Sequence, residues 1–358
     1  MKILVVWDRM GDYHRIRTET YKKQFGTDKL FTADLGSSDN LYHWKNTEGE
    51  GHYSLSKLPA GKRDIKRRFA QFKQIIKEHK IQKVVLSGYG KPEYLLFTLW
   101  LKTKRIDCYY FAESWYPGSY IMDRVKNKFL QKFVRGIFAS GERAKEHFSK
   151  RLNFPVNLIR TGYSVVDNNH FLYTRNISEV EEALAKKPVL LCVARHSPEK
   201  NLLILIRSFQ NSDLYPNWKL RIVGGGPLTE DLKKEVQDPS KVELMHWQSY
   251  HDLPKLYKEA SCFILPSSFE PWGLVVNEAM AASLPVILSK QCGCVPDLLD
   301  GNGFVFDALD TKMLIGTLNK LNSTSAEELH GMGKRSFHII KNYIPTTWAQ
   351  NLNTLLKN

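Results

Sequence analysis

Apolar positions in the second half of the chain fall into short runs separated by stretches with helical spacing. Residues 189–194, 220–223, 242–247, 262–265 and 285–288 read as strands. Residues 202–209, 228–237, 253–260 and 273–282 read as helices. Strand and helix alternate at the spacing of βα units, which predicts a parallel sheet covered on both faces, a Rossmann-like domain. The first half repeats the theme less cleanly. Strands are expected at 3–7, 84–87, 108–112 and 136–139, a helix at 142–150, and a long polar loop at 34–56. Ligands of such sheets gather beyond the carboxyl ends of the strands. In the first half that singles out the loop at Gly11 and the loops 88–92 and 113–118. The polar stretch 173–187 reads as the connection between two domains. Residues 348–357 follow Pro345 and carry Trp348, Leu352, Leu355 and Leu356 at the spacing of a short amphipathic helix.

Length changes the picture by calling for two cores, since 358 residues exceed what one usually supports. With 42% hydrophobic and 25% charged residues the chain is ordinary globular material. No run has the apolar length that spans a bilayer. The opening MKILVVW reads as a buried first strand and not as a signal peptide. Cys108, Cys192, Cys262, Cys292 and Cys294 are few, odd in number and mostly within apolar runs, which fits a reducing cytoplasm. Cys292-Gly293-Cys294 lacks a second pair to complete a zinc site, so no metal is expected there.

Charge divides the chain. Residues 1–172 hold 32 Lys and Arg against 17 Asp and Glu, whereas residues 173–358 hold 20 of each. The halves are therefore expected to meet different partners. Much of the excess lies in 62–83 and 120–138. There Arg63, Lys66, Arg67, Arg68, Lys73, Arg124, Lys128 and Lys132 interleave with Phe69, Phe72, Ile75, Val125, Phe129 and Leu130. Both stretches fit basic amphipathic helices whose apolar faces pack on a sheet. Their charged faces would be solvated, or would rest on anionic headgroups or an acidic glycan. No nucleic-acid module is present, and nucleic acid is not expected as a partner.

Candidate chemistry concentrates in four places. Arg195-His196-Ser197-Pro198-Glu199-Lys200 follows a strand directly, and its two cations suit a diphosphate. Gly224-Gly225-Gly226-Pro227 joins a strand to a helix, where glycines permit a tight turn or close approach to a ligand. Glu270 and Glu278 lie eight residues apart in Phe269-Glu270-Pro271-Trp272-Gly273-Leu274 and the helix that follows. Pro271 keeps Glu270 in the loop, while Glu278 lies inside an apolar helix. Carboxylates so placed can accept hydrogen bonds from sugar and ribose hydroxyls. A turn-rich stretch, 289–297, then leads to Gly303-Phe304. Trp247 has two readings, stacking on a base or packing in the core, of which packing is preferred.

In this order, Arg195 to Lys200, the glycine cluster, the two glutamates and Gly303-Phe304, the chain resembles the family 4 glycosyltransferases of GT-B fold. The resemblance is strong over about 188–310. The segment 159–171 is similar to the family's interdomain connection. It implies two Rossmann-like doubly wound domains facing a cleft. They would be 1–172, rejoined by a crossover helix within 343–358, and 186–342. It implies a retaining hexosyltransferase that uses a UDP- or GDP-sugar as donor and needs no metal. Its acceptor would be a hydroxyl of a glycan or glycolipid. Arg195 and Lys200 would bind the diphosphate and stabilise it as it departs, beside Gly225 and Gly226. Glu278 would bind the ribose. Glu270 would contact the sugar, together with backbone amides at Trp272, Gly273 and Leu274. Gly11 would approach the diphosphate from the other domain. Many relatives have a histidine where this chain has Phe111-Ala112-Glu113-Ser114, so Glu113 is a candidate contact to acceptor or donor sugar. His14, just past Gly11, is a weaker candidate. The enzyme would be cytoplasmic, at most peripheral on a membrane. An epimerase acting on nucleotide sugars and a non-catalytic binder of acidic polymers are the alternatives.

Overall fold

The computed structural model describes residues 1–36, 51–59, 61–116 and 118–357. Part of the loop expected at 34–56, residues 37–50, lies outside the described residues, as does Pro117 of the loop 113–118. The chain forms two compact units, Met1–Val165 with Pro345–Asn358, and Val166–Ile344.

The first unit carries β1 (Ile3–Trp7), β2 (Leu30–Asp34), β3 (His52–Ser54), β4 (Lys83–Leu86), β5 (Asp107–Ala112), β6 (Gly136–Ala139) and β7 (Ile159–Thr161). Among the described residues they form one parallel sheet in the order β3-β2-β1-β4-β5-β6-β7. Its helices are α1 (Asp12–Phe25), α2 (Ile65–His79), α3 (Pro92–Thr103), α4 (Tyr120–Phe133) and α5 (Glu142–Glu146). β1 is buried along its whole length. That is why it reads as a continuous apolar run and not as an alternation. β2 was not expected, because polar Thr32 and Asp34 interrupt its pattern, and β3 stands within the stretch 34–56 that was expected to be loop. Thr32 and Asp34 are buried, and the ring of His52 on β3 satisfies them, at 2.9 Å from Thr32 Oγ1 and 3.3 Å from Asp34 Oδ2.

The second unit carries β8 (Val189–Val193), β9 (Lys219–Val223), β10 (Val242–Met245), β11 (Cys262–Leu265), β12 (Val286–Ser289) and β13 (Gly303–Phe306). These lie parallel in the order β10-β9-β8-β11-β12-β13. Its helices are α6 (Asn168–Phe171), α7 (Ile177–Lys186), α8 (Leu202–Gln210), α9 (Thr229–Glu235), α10 (Leu253–Glu259), α11 (Leu274–Ala281), α12 (Val295–Leu298), α13 (Thr311–Asn322) and α14 (Ala326–Ile340). A final helix, α15 (Pro345–Lys357), belongs to the first unit and buries Trp348, Leu352, Leu355 and Leu356. In both sheets the strand order reverses beside the first strand of the unit, at β1/β4 and β8/β11. Doubly wound sheets bind ligands at such switch points.

Three other expectations are corrected. The stretch 173–187 is not a bare connection. It contains α7, started by a reciprocal cap in which Asn176 and Glu179 each accept the other's backbone N–H, and it lies within the second unit. Val125 does not pack on the sheet. It is 58% exposed on α4 beside Ile121 and Met122. Arg68 is not part of a solvated face. It is buried, paired with Glu93, and donates to the carbonyls of Leu35 and Pro59.

Candidate functional site

Three of the candidate motifs of the second unit, with the start of the fourth after β12, meet at the carboxyl ends of its strands. Gly303-Phe304 lies instead at the amino end of β13, paired with Val286 and Ile287 of β12. Leaving β8, the chain passes Arg195 and makes a single 3-10 turn at Pro198–Lys200. Arg195 is exposed and ion-paired to Glu199 at 3.0 Å. Glu199 also accepts from the Ser197 hydroxyl at 2.6 Å. Burial would raise its carboxyl, but that hydrogen bond and the Arg195 and Lys200 charges outweigh burial and hold it below the ordinary carboxylate value. The Glu199 carbonyl accepts the Ser268 N–H at 2.8 Å, which ties this turn to the loop after β11.

Lys200 reaches across that tie. Its ammonium is ion-paired to Glu270, and both side chains are largely buried. The backbone of Glu270 is held from the other side: its N–H donates to Gln291 and its carbonyl accepts from Gly293. Gly273 follows at φ +98° and starts α11. This conformation suits glycine, and it turns the first amides of α11 toward the loop. The Trp272 ring is buried and donates to Asn277 Oδ1 at 2.8 Å, so only its backbone is available to a ligand. Glu278 lies on the same helix with no exposed surface, and its carboxylate accepts from the Tyr257 hydroxyl at 2.6 Å.

The glycine loop joins the group from β9. A Cβ on Gly224 would lie 1.9 Å from the Ala194 carbonyl oxygen, and one on Gly226 would lie 2.7 Å from that of His196. Only glycine lets these two loops lie so close. Gly225 has open space where a Cβ would point, and its carbonyl accepts the His196 N–H at 3.0 Å. His196, quoted in the motif but given no role by the sequence, is buried beneath the loops. Its Nδ1 lies 2.8 Å from Thr229 Oγ1, which is also bonded to the backbone of Gly226. Burial, with nearby His246 adding to it, pushes the His196 pKa below its ordinary value and keeps the ring neutral at pH 7. Trp247 corrects another expectation. It is 42% exposed in the loop after β10 and does not pack in the core.

In the first unit, Gly11 caps α1 and its N–H points at His14 Nδ1, 3.3 Å away. The His14 pKa is lowered to about 3, by burial first and then by Arg17. Arg17 is buried, donates twice to the Val165 carbonyl and stacks on the Tyr163 ring. Glu113 is exposed at the end of β5, and its charge acts on both Arg17 and Tyr163. All five cysteines are buried and unbridged. Among the described residues no three His, Cys, Asp or Glu side chains gather as a metal site, and no helix is long and apolar enough to cross a membrane.

A family model described as glycosyl transferases group 1 matches residues 174–338, the stretch that carries the four motifs. Residues 174–338 are thus similar to the group 1 glycosyl transferases. The sulfoquinovosyl transferase of Arabidopsis thaliana is 31% identical over 156 residues, 42% of this chain and 30% of that protein. A galactosyltransferase of Escherichia coli that uses UDP-Gal is 30% identical over 164 residues, 43% of this chain and 41% of its own length. A GDP-mannose-dependent mannosyltransferase of Mycolicibacterium smegmatis is 29% identical over 150 residues, 38% of this chain and 39% of that protein. The matches thus span well under half of these relatives. Among solved structures, Anabaena HepE with UDP and glucose has a TM-score of 0.75 at 18% identity and covers 100% of this chain and 99% of its own. Sucrose-phosphate synthase of Thermosynechococcus elongatus has a TM-score of 0.78 at 15% identity, covering 100% and 98%. Likeness at this identity establishes the fold alone, two Rossmann-like units of the GT-B class.

Proposed function

We propose that the chain is a retaining glycosyltransferase that moves a hexosyl group from a UDP- or GDP-sugar to a hydroxyl of a glycan or glycolipid acceptor. The reading rests on one observation: Arg195, the Lys200–Glu270 pair and the start of α11 converge at the carboxyl ends of β8 and β11. Two cations and free helix amides suit a diphosphate, and their positive charge favours its departure without a divalent ion. In the transfer, the bond from the anomeric carbon to the diphosphate oxygen breaks and the acceptor oxygen bonds to that carbon on the same face. The acceptor's proton leaves with the diphosphate. Lys200 and Arg195 take up the charge that develops. Glu270 orients both Lys200 and the sugar hydroxyls. Glu278, with one oxygen fixed by Tyr257, takes the ribose. Gly225 and Gly226 admit the nucleotide, and exposed Trp247 offers a stacking face for its base. The first unit takes the acceptor, with Glu113 and the loops at Gly11 and Tyr89 as its contacts. The exposed apolar patch on α4 would hold the enzyme on an anionic membrane surface facing the cytoplasm. UDP-Gal and GDP-mannose donors among the relatives, and UDP with glucose in HepE, support this donor class.

Thermal denaturation with UDP, GDP and ADP in the presence of EDTA tests the proposal. One nucleotide at about 100 times its Kd stabilises the chain by about 2.7 kcal/mol. The shift is lost in Arg195→Ala and in Glu278→Gln. A flat response to all three nucleotides, or full shifts in both variants, overturns the site. A shift that appears only with added Mg2+ overturns metal-free binding. Conversion of a free nucleotide sugar without acceptor would identify an epimerase instead.

A further inference from the structure

We infer that the second unit has another binding site, a pocket for a single-chain amphipathic anion at the amino ends of β11 and β12. These are the strand ends opposite to those that carry the glycosyl-transfer motifs. A cavity of about 450 Å3 opens there, within the range of small-molecule sites. Its floor is formed by the residues that lead into the two strands, Ala260 and Ser261 before β11 and Ser283 and Pro285 before β12. Its walls are α7 and α14.

The space has a packing cause. α14 is drawn tightly to the floor at Gly333, where a Cβ would lie 2.3 Å from the Ser283 carbonyl oxygen. Ser283 itself stands at φ +55°, a left-handed conformation uncommon outside glycine. α7 does not follow. It has an apolar stripe at Val180, Ala183 and Leu184, the spacing of one helix face, yet none of its ten residues is buried. Val180 and Leu184 rest against the edge of the core, and Val180 and Ala183 also line the cavity with Leu329 and Phe337 of α14.

Two cations, Arg175 and Lys334, line the same cavity with the His330 ring and neutral polar groups such as Thr174 and Ser261, and no Asp or Glu lines it among the described residues. The Arg175 guanidinium is fixed by the carbonyls of Ala282, Tyr257 and Lys258 at 2.8, 2.9 and 2.8 Å. Its pKa is lowered to about 10 by burial and stays high enough to keep the charge at pH 7. The carbonyl of Arg175 holds the His330 ring at 3.0 Å. Lys334 is exposed at the rim. Apolar walls with one fixed cation, Arg175, and a second at the rim, Lys334, are complementary to an apolar chain that ends in a carboxylate or phosphate. Neither a neutral chain nor a bare anion would use both parts.

Calorimetric titration of the full chain with decanoate, decanol and acetate at low salt tests this. Decanoate binds at one site per chain, and decanol and acetate bind at least tenfold more weakly. Ala183→Trp fills the cavity and abolishes binding. Lys334→Glu, an exposed change that leaves the core intact, weakens it about three- to tenfold. Arg195→Ala leaves it unchanged, which separates this site from the nucleotide site. The inference is overturned if decanoate shows no saturable binding, if decanol binds equally well, or if Lys334→Glu has no effect. Retention of binding by an Ala183→Trp protein with the parent circular dichroism also overturns it.

Discussion

His196 shows how a side chain can be plain in the sequence and yet unreadable in role. It stands between Arg195 and Lys200, and nothing in its neighbours says that it props two loops from below through Thr229, thirty-three residues later. Its folded pKa lies below the value of about 6.5 for a free histidine. The stability of the neutral ring is therefore fully present above pH ~6.5 and is lost as pH falls through that value toward the folded pKa. Between pH 7.5 and 5 the midpoint of thermal unfolding should fall less steeply in His196→Asn, which keeps a polar group toward Thr229 without the titration. An identical slope would sink the assignment. The two glutamates were legible from spacing and from Pro271. What holds them was not. Tyr257 reaches Glu278 from α10, and Lys200 reaches Glu270 from another loop. Pairings across that much chain leave no periodic trace.

From β8 to β12 and from α8 to α11 the second unit followed the apolar rhythm closely because its central strands are buried on both faces, whereas β13, α13 and α14 were not read from it. The first unit hid β7 and also β2 and β3, where the half-buried His52 ring satisfies buried Thr32 and Asp34 and polar residues break the pattern. α7 was missed because its charge and polarity resemble a linker. Its cap, Asn176 with Glu179, was the signal available. The loops after β8 and β9 behave as one element, stitched through Ala194, His196, Gly224 and Gly226. Gly224→Ala would put a methyl group into the Ala194 carbonyl and push the loops apart. It should lower stability by about 1–3 kcal/mol, the usual range for strain at a special backbone position, and weaken nucleotide binding at least tenfold. Wild-type stability by denaturant titration together with a wild-type nucleotide shift would show that the close approach has no such role.

Charge is distributed by unit and not by fold, since both units are Rossmann-like. Part of the basic excess sits on α4, which exposes Ile121, Met122 and Val125 beside Arg124 and Lys128. Apolar side chains flanked by cations favour the surface of an anionic bilayer, and salt weakens only the electrostatic share. The protein should sediment with phosphatidylglycerol vesicles at low salt and much less with phosphatidylcholine vesicles. Substituting the three apolar residues by serine should release it without changing the nucleotide shift. Failure to sediment with either vesicle removes the membrane from the proposal.

The placement of α15 in the first unit makes the second unit an insertion. Residues 166–344 form a continuous piece, whereas the first unit is assembled from two pieces that flank it. During synthesis the second unit can therefore close before the first. The sheet of the first unit waits, its site for Trp348 and Leu352 unfilled, until the end of α15 has left the ribosome. The half of the chain made first is the half completed last.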